Sequence, residues 1–252
     1  MEKLKVGICG WGNVATGLFK ALEKNADIIA LNAGTKFTVS VIGARRDNPQ
    51  CDPGNTPIER DIFDVTKHDI DVLVELIGGV EVARELIIEA IKNKKHVVTA
   101  NKAVIYHHGD EIFKLAKENN VRVLFESAVC AGTPIIKLLK EELAANRVSK
   151  ISGMLNGTSN FILSNMEEGA EFHSTLELAQ KEGYAEPDPT FDIEGMDAAH
   201  KIGILSALAF GTSLPPKDFY VEGITKIEKS DFTYAMDMGY TVKHLAVAKV
   251  DE

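Results

Sequence analysis

The chain has 252 residues, of which 45% are hydrophobic, enough to bury a substantial core in one large or two modest domains. Its formal net charge of −9 provides no basic surface for a phosphate backbone, which argues against a nucleic-acid partner. The three cysteines are widely spaced and suggest neither a metal site nor a disulfide framework, and no apolar run reaches the roughly 18 residues of a membrane span. These features predict a cytoplasmic protein that acts on small molecules and has no membrane partner.

The first half of the chain alternates between predicted strands and helices. A strand at about 3–9 leads into a glycine turn and a helix, and "FTVSVIGA" predicts the next buried strand. Further strands in "DVLVELIGG", "HVVTA" and "VRVLFESAV" alternate with helices at about 81–93 and 109–119. The stretch 44–70, rich in Pro, Asn and Asp, predicts a surface loop with room for one short helix. This alternation predicts an α/β fold, a Rossmann-type parallel sheet covered by helices on both faces.

From residue 134 onward the pattern is that of an α+β domain. "TPIIKLLKEELAA" predicts a helix and "RVSKISGMLN" a strand. Further helices are expected at about 157–168, 172–182 and 196–211. The last predicted strand, "YTVKHLAVAKVDE", has no following partner, which indicates a domain truncated at its C-terminus or a sheet edge completed by another chain. We therefore predict two domains, at 1–133 and 134–252, of which the second is incomplete.

A dinucleotide-binding pattern lies in the first strand, turn and helix. "VGICGWGNVATG" places Gly10, Gly12 and Ala15 in a G-x-G-x-x-A arrangement directly after a strand and at the start of a helix. The first glycine permits the tight turn, the second lets the backbone approach a pyrophosphate, and the small third residue lets the helix pack on the strand. We therefore predict that Gly10 and Gly12 bind a dinucleotide.

The residues after the second strand bear on which dinucleotide binds. An acid at this point normally binds the ribose of NAD, whereas this chain has Arg45 and Arg46, which suit the 2′-phosphate of NADP. The two arginines could also be solvated loop residues, and Asp47 follows closely enough to leave NAD possible. NADP is therefore the favoured cofactor, with NAD as the alternative.

The acidic segment "GYAEPDPTFDIEGMDAAHK", residues 183–201, runs into an apolar helix. Asp197 and Lys201 are four residues apart and share one helix face, so they could form an ordinary exposed ion pair. The apolar turns that follow instead indicate a buried helix whose first turn points into the protein. A lysine in such a place can act as the general base for an alcohol.

Taken in order, the glycine pattern, "TANKA", "ESAVCAGTP", "LNGTSNFIL" and the acidic segment resemble homoserine dehydrogenase over nearly the whole chain. The resemblance implies an NAD(P)-dependent oxidoreductase that interconverts L-homoserine and L-aspartate 4-semialdehyde, on the route to threonine, methionine and isoleucine. It also implies a homodimer. Members of the family continue beyond the last strand of this chain, so the resemblance implies a missing C-terminal part of the catalytic region.

The resemblance assigns roles to individual residues. Lys201 would donate and accept the proton, and Lys102 would contact substrate and cofactor. Glu186 and Asp197 would bind the α-ammonium group of homoserine. The predicted cofactor contacts are Gly10, Gly12, Asn13, Val14, Arg45, Gly78, Lys102 and Gly183. A monovalent cation, sodium in the family, would bind through Glu126, Val129, Ala131 and Thr133, since oxygen ligands suit a hard ion.

Two other functions stay open. The chain could be a non-catalytic NADP-binding fragment or sensor, because the end of the family's catalytic region is missing. It could also be a dehydrogenase of the same fold that acts on another amino-acid derivative. We assign no role to His107 and His108, which we expect in a polar loop.

Overall fold

Two hydrophobic cores organise the chain, one in each half. The computed structural model describes residues 3–250. A boundary between Ile135 and Ile136 separates unit 1, which precedes it, from unit 2, which follows it, and each unit has a core of its own within the described residues. The ends of the predicted domains, at positions 1, 2, 251 and 252, lie outside the described residues.

A parallel sheet forms the centre of unit 1. Within the described residues its strands are β1 (Lys3–Cys9), β2 (Lys36–Gly43), β3 (Ile58–Glu59), β4 (Val72–Glu75), β5 (His96–Thr99) and β6 (Val123–Leu124). They are hydrogen-bonded in the order β3-β2-β1-β4-β5-β6, and every pair is parallel. This is the Rossmann strand order: the chain adds β2 and β3 on one side of β1, and then adds β4, β5 and β6 on the other side. The predicted Rossmann-type sheet is therefore confirmed.

Helices connect these strands. They are α1 (Asn13–Lys24), α2 (Ala26–Ala33), α3 (Glu81–Lys92) and α4 (Lys102–Asn119), with short 3-10 turns at Asp64–Lys67 and Glu126–Ala128. Buried residues recur at helical spacing on α3, as expected for an amphipathic helix packed on a sheet. The Arg84 guanidinium on α3 binds the Glu111 carboxylate on α4 through two hydrogen bonds of 2.7 and 2.6 Å.

Helix α4 begins earlier than the sequence pattern predicts. The Asn101 side chain accepts a hydrogen bond from the backbone N–H of Val104 at 3.2 Å, so Asn101 is the N-cap and Lys102 is the first helical residue. His107 and His108 consequently lie inside the helix, and their predicted placement in a loop is wrong.

Unit 2 combines helices with a small antiparallel sheet. At the boundary, α5 (Ile135–Lys137) continues as a π-helix (Leu138–Glu142) where the sequence predicts one longer helix. The elements that follow are β7 (Lys150–Gly153), α6 (Gly157–Glu167), α7 (Phe172–Lys181), α8 (Thr190–Ile193), α9 (Met196–Phe210), α10 (Lys229–Asp237) and β8 (Ala246–Lys249). The last predicted strand has a partner in its own unit, because β8 pairs antiparallel with β7. Nowhere in residues 3–250 is a helix both long enough and apolar enough to cross a membrane.

Helix α9 is the buried helix predicted from the apolar run after Lys201. Its buried residues include Ala198, Ile204 and Leu205, together with the polar Asp197 and His200. A helix that is apolar almost all round must be covered by other elements. Within unit 2 it contacts β7, β8, α8 and the π-helix, so its first turn is held among packed elements.

Candidate functional site

The glycine turn after β1 has the geometry of an anion-binding loop. Gly10 has a φ of +98°, and a Cβ at this position would lie 2.4 Å from the carbonyl oxygen of Leu76. Gly12 is the N-cap of α1, and a Cβ there would meet nothing within 4 Å. The first turn of α1 carries no acidic residue and receives no hydrogen bond from a cap side chain. Gly10 therefore serves the turn, whereas Gly12 leaves an open approach to the positive end of the helix dipole, which fits a pyrophosphate.

The predicted contacts Asn13 and Val14 are the first two residues of α1, and both are exposed at this turn. The loop after β2 is tied to the same turn. The Asn48 side chain donates hydrogen bonds to the carbonyl oxygen of Trp11 at 3.0 Å and to Thr16 Oγ1 at 2.9 Å. The structure therefore brings the loop that carries Arg45 next to the glycine turn.

The charged residues of this loop differ in their surroundings. Arg45 and Arg46 are exposed. Asp47, by contrast, forms an ion pair with Arg60, whose Nη2 lies 2.6 Å from Asp47 Oδ1 and whose Nη1 donates to the carbonyl oxygen of Ala44 at 3.3 Å. The acid that left NAD possible is thus held by a neighbouring guanidinium. Sequence reasoning missed Arg60, because its partner lies 13 residues away.

A buried carboxylate organises the carboxyl ends of β4 and β5. Glu75 is fully buried, and its two oxygens accept hydrogen bonds from Thr99 Oγ1 at 2.6 Å and from the N–H of Ile77 at 2.9 Å. Asn101 continues the network: its N–H donates to Thr99 Oγ1 at 2.9 Å and its Nδ2 donates to the carbonyl oxygen of Gly79 at 2.7 Å. Glu75 was not predicted as a site residue, although an acidic residue at the end of the apolar strand "VLVE" can be recognised in the sequence.

This network fixes the surroundings of two predicted site residues. Gly78 lies in the turn after β4 with a φ of +72°, and Lys102 opens α4 directly after the capping Asn101. Both lie at the carboxyl edge of the parallel sheet, where ligands bind in open α/β folds. Cys9 ends β1 at the same edge, and burial together with the Glu75 charge raises its pKa to about 12, so it is no nucleophile at neutral pH.

The segment predicted to bind a cation forms a tight turn in unit 1. Cys130 has a φ of +51°, and its carbonyl oxygen accepts a hydrogen bond from the N–H of Thr133 at 2.8 Å. The 3-10 turn Glu126–Ala128 precedes it. Among residues 3–250, no cluster of three or more His, Cys, Asp or Glu side chains could hold a metal ion. The predicted ligands are instead one carboxylate and oxygens of Val129, Ala131 and Thr133, a donor set that fits a monovalent ion better than a transition metal.

In unit 2 the structure brings Asp197 and Lys201 into direct contact. Lys201 Nζ lies 2.7 Å from Asp197 Oδ2, and the exposed fractions of the two side chains are only 19% and 8%. Lys201 Nζ also donates to the carbonyl oxygen of Leu155 at 2.6 Å. The simpler prediction of an exposed ion pair is therefore wrong, and the buried alternative is confirmed. Such a pair holds the amine in one place, which a proton-transfer group requires.

A third polar side chain, Asn156, completes this cluster. Its Nδ2 donates to Asp197 Oδ2 at 2.8 Å and to Asp192 Oδ1 at 2.7 Å. No local sequence pattern marks this role of Asn156, since its partners lie 36 and 41 residues away.

The other two predicted residues of unit 2 lie in the turn after α7. Gly183 has a φ of +80°, and its N–H donates to the carbonyl oxygen of Gln180 at 3.2 Å. Glu186 is exposed, unlike Asp197. Nearby, hydrogen bonds from Thr190, the first residue of α8, lower the pKa of Asp188, so this acid has a local structural partner.

Comparisons with known proteins decide the family. Residues 10–126 match the family model described as homoserine dehydrogenase, NAD binding domain, and residues 134–251 match the model described as homoserine dehydrogenase. The crystal structure of a putative homoserine dehydrogenase from Archaeoglobus fulgidus is 31% identical, with a TM-score of 0.87. The alignment covers 98% of this chain and 80% of that one. The chain belongs to the homoserine dehydrogenase family.

Two further relatives define how much of the family protein is present. Homoserine dehydrogenase of Pseudomonas aeruginosa is 54% identical over 254 residues, which cover 100% of this chain but 58% of that protein. A hyperthermophilic archaeal homoserine dehydrogenase, solved in complex with NADPH, is 29% identical with a TM-score of 0.80. Here the match covers 98% of this chain and 79% of that one. The chain thus spans little more than half the length of the P. aeruginosa relative.

Proposed function

We propose that the protein acts as an NAD(P)-dependent homoserine dehydrogenase, which interconverts L-homoserine and L-aspartate 4-semialdehyde. This reaction lies on the route to threonine, methionine and isoleucine. The observation that carries the proposal is the buried pair of Asp197 and Lys201, within the residues matched by the homoserine dehydrogenase model. The Lys201 amine is held by two oxygens, and the acids Asp197 and Glu186 can bind an ammonium group. This arrangement suits an amino alcohol as the substrate.

Lys201 is the proposed acid and base. In its neutral form the amine accepts the proton of the substrate hydroxyl as the hydride leaves the same carbon, and in reverse the ammonium returns it. Asp197 and Glu186 offset the α-ammonium of homoserine. The α-ammonium of a bound substrate would share the Asp197 carboxylate with Lys201 and would weaken the ion pair that holds the Lys201 amine. Substrate binding would therefore prepare Lys201 for its task.

Unit 1 is the proposed cofactor domain. The glycine turn formed by Gly10 and Gly12, with Asn13 and Val14, fits the pyrophosphate, and Arg45 fits a 2′-phosphate. Gly78 and Lys102 are further proposed contacts in unit 1, and Gly183 is a proposed contact in unit 2. When bound, the nicotinamide supplies the hydride acceptor or donor.

NADP is the proposed preference over NAD. The ion pair of Asp47 with Arg60 supports it, because the paired acid is less able to accept a hydrogen bond from the ribose of NAD. A relative's complex with NADPH also supports it.

Three further features belong to the proposal. A sodium ion binds Glu126, Val129, Ala131 and Thr133, and Glu126→Gln would remove the dependence of thermal stability on sodium.

The protein is a homodimer, which the exposed apolar side chains of Leu245, Val247 and Val250 support. Sedimentation of wild type and Val247→Glu tests this. The compartment is cytoplasmic.

The deciding experiment is homoserine-dependent reduction of NADP and of NAD by the purified protein. Lys201→Met should lower turnover by about a hundredfold or more but leave NADPH binding intact. Lys243→Met is a matched control, because Lys243 is also partly buried and paired with an acid, Glu167, in unit 2. Equal turnover in Lys201→Met would contradict the role of Lys201.

Two outcomes favour the alternatives. NADPH binding without turnover would support a non-catalytic binding protein. Turnover with another amino-acid derivative, in a substrate panel that includes aspartate, would support a different dehydrogenase.

A further inference from the structure

Asn156 is the common partner of two carboxylates in unit 2. Its Nδ2 donates to Asp192 Oδ1 at 2.7 Å and to Asp197 Oδ2 at 2.8 Å. The residue is buried, with 6% of its surface exposed. Two acids that approach the same atom repel each other unless a donor lies between them, and the amide hydrogens of Asn156 supply that donor.

The orientation of the Asn156 amide is fixed by its other end. Its Oδ1 accepts a hydrogen bond from the backbone N–H of Ser159 at 2.7 Å, so Asn156 is the N-cap of α6. With the oxygen committed to the helix, the NH₂ group must face the two acids. One side chain thus links the start of α6 to the acids of α8 and α9.

The same cluster reaches Lys201. Asp197 Oδ2, which accepts from Asn156, is also the oxygen that pairs with Lys201 Nζ at 2.7 Å. The neighbour of Asn156 in sequence, Leu155, supplies the second oxygen for Lys201 at 2.6 Å. The position of the segment 155–156 therefore determines both oxygens that hold the amine.

We propose that Asn156 is a positioning residue, which holds Asp192 and Asp197 side by side and through Asp197 holds Lys201. Its consequence for catalysis rests on the proposed function. Its capping role alone would not require asparagine, because aspartate and serine cap helices about equally well. Only asparagine among these three both caps the helix and donates to a carboxylate through an NH₂ group.

The first test does not depend on activity. Asn156→Ser keeps the cap and removes the donor, so the Asn156→Ser and Asp197→Asn changes should not act independently on urea unfolding of the full chain. We expect the effect of the double variant on the folding equilibrium constant to differ about tenfold from the product of the single effects. Asn165→Ser is the matched control, since Asn165 lies on the same helix but donates to the carbonyl oxygen of Phe161. When Asn165→Ser is combined with Asp197→Asn, the effect on the folding equilibrium constant should equal the product of the two single effects within about twofold.

The second test separates positioning from capping. Asn156→Ser should raise KM for homoserine by about tenfold and leave KM for NADP within about twofold, because the ammonium-binding acid is displaced while the cofactor domain is untouched. Asn156→Asp caps equally well but adds a third carboxylate, so it should disturb the acids more than serine does. Asparagine, serine and aspartate would be equivalent if capping were the whole role.

Each outcome decides the proposal. Multiplicative effects in the Asn156 cycle, or an unchanged KM for homoserine in both variants, would overturn it. If the wild type shows no homoserine-dependent turnover, the proposed function fails while the unfolding cycle still decides whether Asn156 positions Asp197. Should Asn156→Ser fail to fold, Asn156→Gly serves in the same cycle, because glycine is tolerated at an N-cap and also lacks the NH₂ donor.

Discussion

Arg60 holds Asp47 in an ion pair at 2.6 Å, beside the loop that carries Arg45 and Arg46. Arg60→Ala should release the carboxylate, which can then accept from the ribose of NADH and repel the 2′-phosphate of NADPH. We expect the ratio of NADPH to NADH affinity to fall by about tenfold, as measured by titration of nucleotide fluorescence. Lys5→Ala is the control, since it breaks the pair of Lys5 with Asp69 at the opposite end of β1. An unchanged ratio in Arg60→Ala would place Asp47 away from the ribose.

The two glycines of the turn should respond differently to alanine. Gly10→Ala introduces a side chain at a φ of +98° and 2.4 Å from the carbonyl oxygen of Leu76, so we expect a loss of about 3 kcal/mol in unfolding free energy. Gly12→Ala should cost about 1 kcal/mol or less, because its Cβ meets nothing, yet weaken NADPH binding by tenfold or more.

Both quantities can be measured on the same samples. Trp11 is the single tryptophan of the chain and lies between the two glycines, so energy transfer to NADPH reports binding while its own emission reports unfolding. Gly17→Ala, in the body of α1 with open space at its Cβ, should leave NADPH binding unchanged. Tight NADPH binding by Gly12→Ala would exclude the pyrophosphate from this turn.

The loss of Asp197 and the loss of Lys201 should have unequal effects on the unfolding free energy. Asp197→Asn leaves the largely buried ammonium of Lys201 without its carboxylate, and we expect a loss of about 3 kcal/mol in unfolding free energy. Lys201→Met should cost less, since Asp197 keeps the hydrogen bond from Asn156. Glu167→Gln breaks the more exposed pair with Lys243 and should cost the least of the three. Urea unfolding of the three variants measures this order of losses in unfolding free energy, and equal losses would contradict the prediction.

Acid should weaken the contact between α3 and α4. The hydrogen bond from Arg84 lowers the pKa of Glu111 below its ordinary value of 4.5. Because the folded pKa is lower than the unfolded one, this stabilisation is complete above about pH 4.5 and is lost as the pH falls through the folded pKa. The carboxylate is 46% exposed, so the contribution is about 1 kcal/mol or less.

Thermal melts of wild type and Glu111→Gln test this contribution. The difference between the two should be largest near neutral pH and should shrink as the pH falls through the folded pKa of Glu111, where the wild-type carboxyl also becomes neutral. Arg84→Ala should converge with the wild type in the same way. A difference that grows on acidification would reverse the sign of the argument.

The sheet and the glycine turn were readable from the sequence because their signals are local. Apolar strands, glycines and helical periods repeat over a few residues, and Asp197 with Lys201 lie within one helical turn. Helix α2 was missed because it lacks a clear apolar face: Ile28 is 58% exposed and Leu31 79%. Helix α10 was missed although the capping box of Glu228 and Asp231 marks its start.

The partners of the site residues were not readable. Arg60 acts through Asp47, Glu75 through Thr99, and Asn156 through two acids on two later helices, so each pairing exists only once the chain has folded. The roles of all the predicted site residues stay predictions, because they concern molecules that bind to these residues.

The pairing of β7 with β8 has a consequence for synthesis on the ribosome. Lys150 pairs with Lys249, and the intervening helices are made before the second strand exists, so the sheet of unit 2 closes a loop of roughly 100 residues. The strands of unit 1 all precede Ile135, so this unit can fold on the nascent chain while unit 2 is still incomplete. During that interval β7 and the apolar α9 emerge without their partner strand. We therefore expect newly made unit 2 to be the part of the protein that needs protection by chaperones.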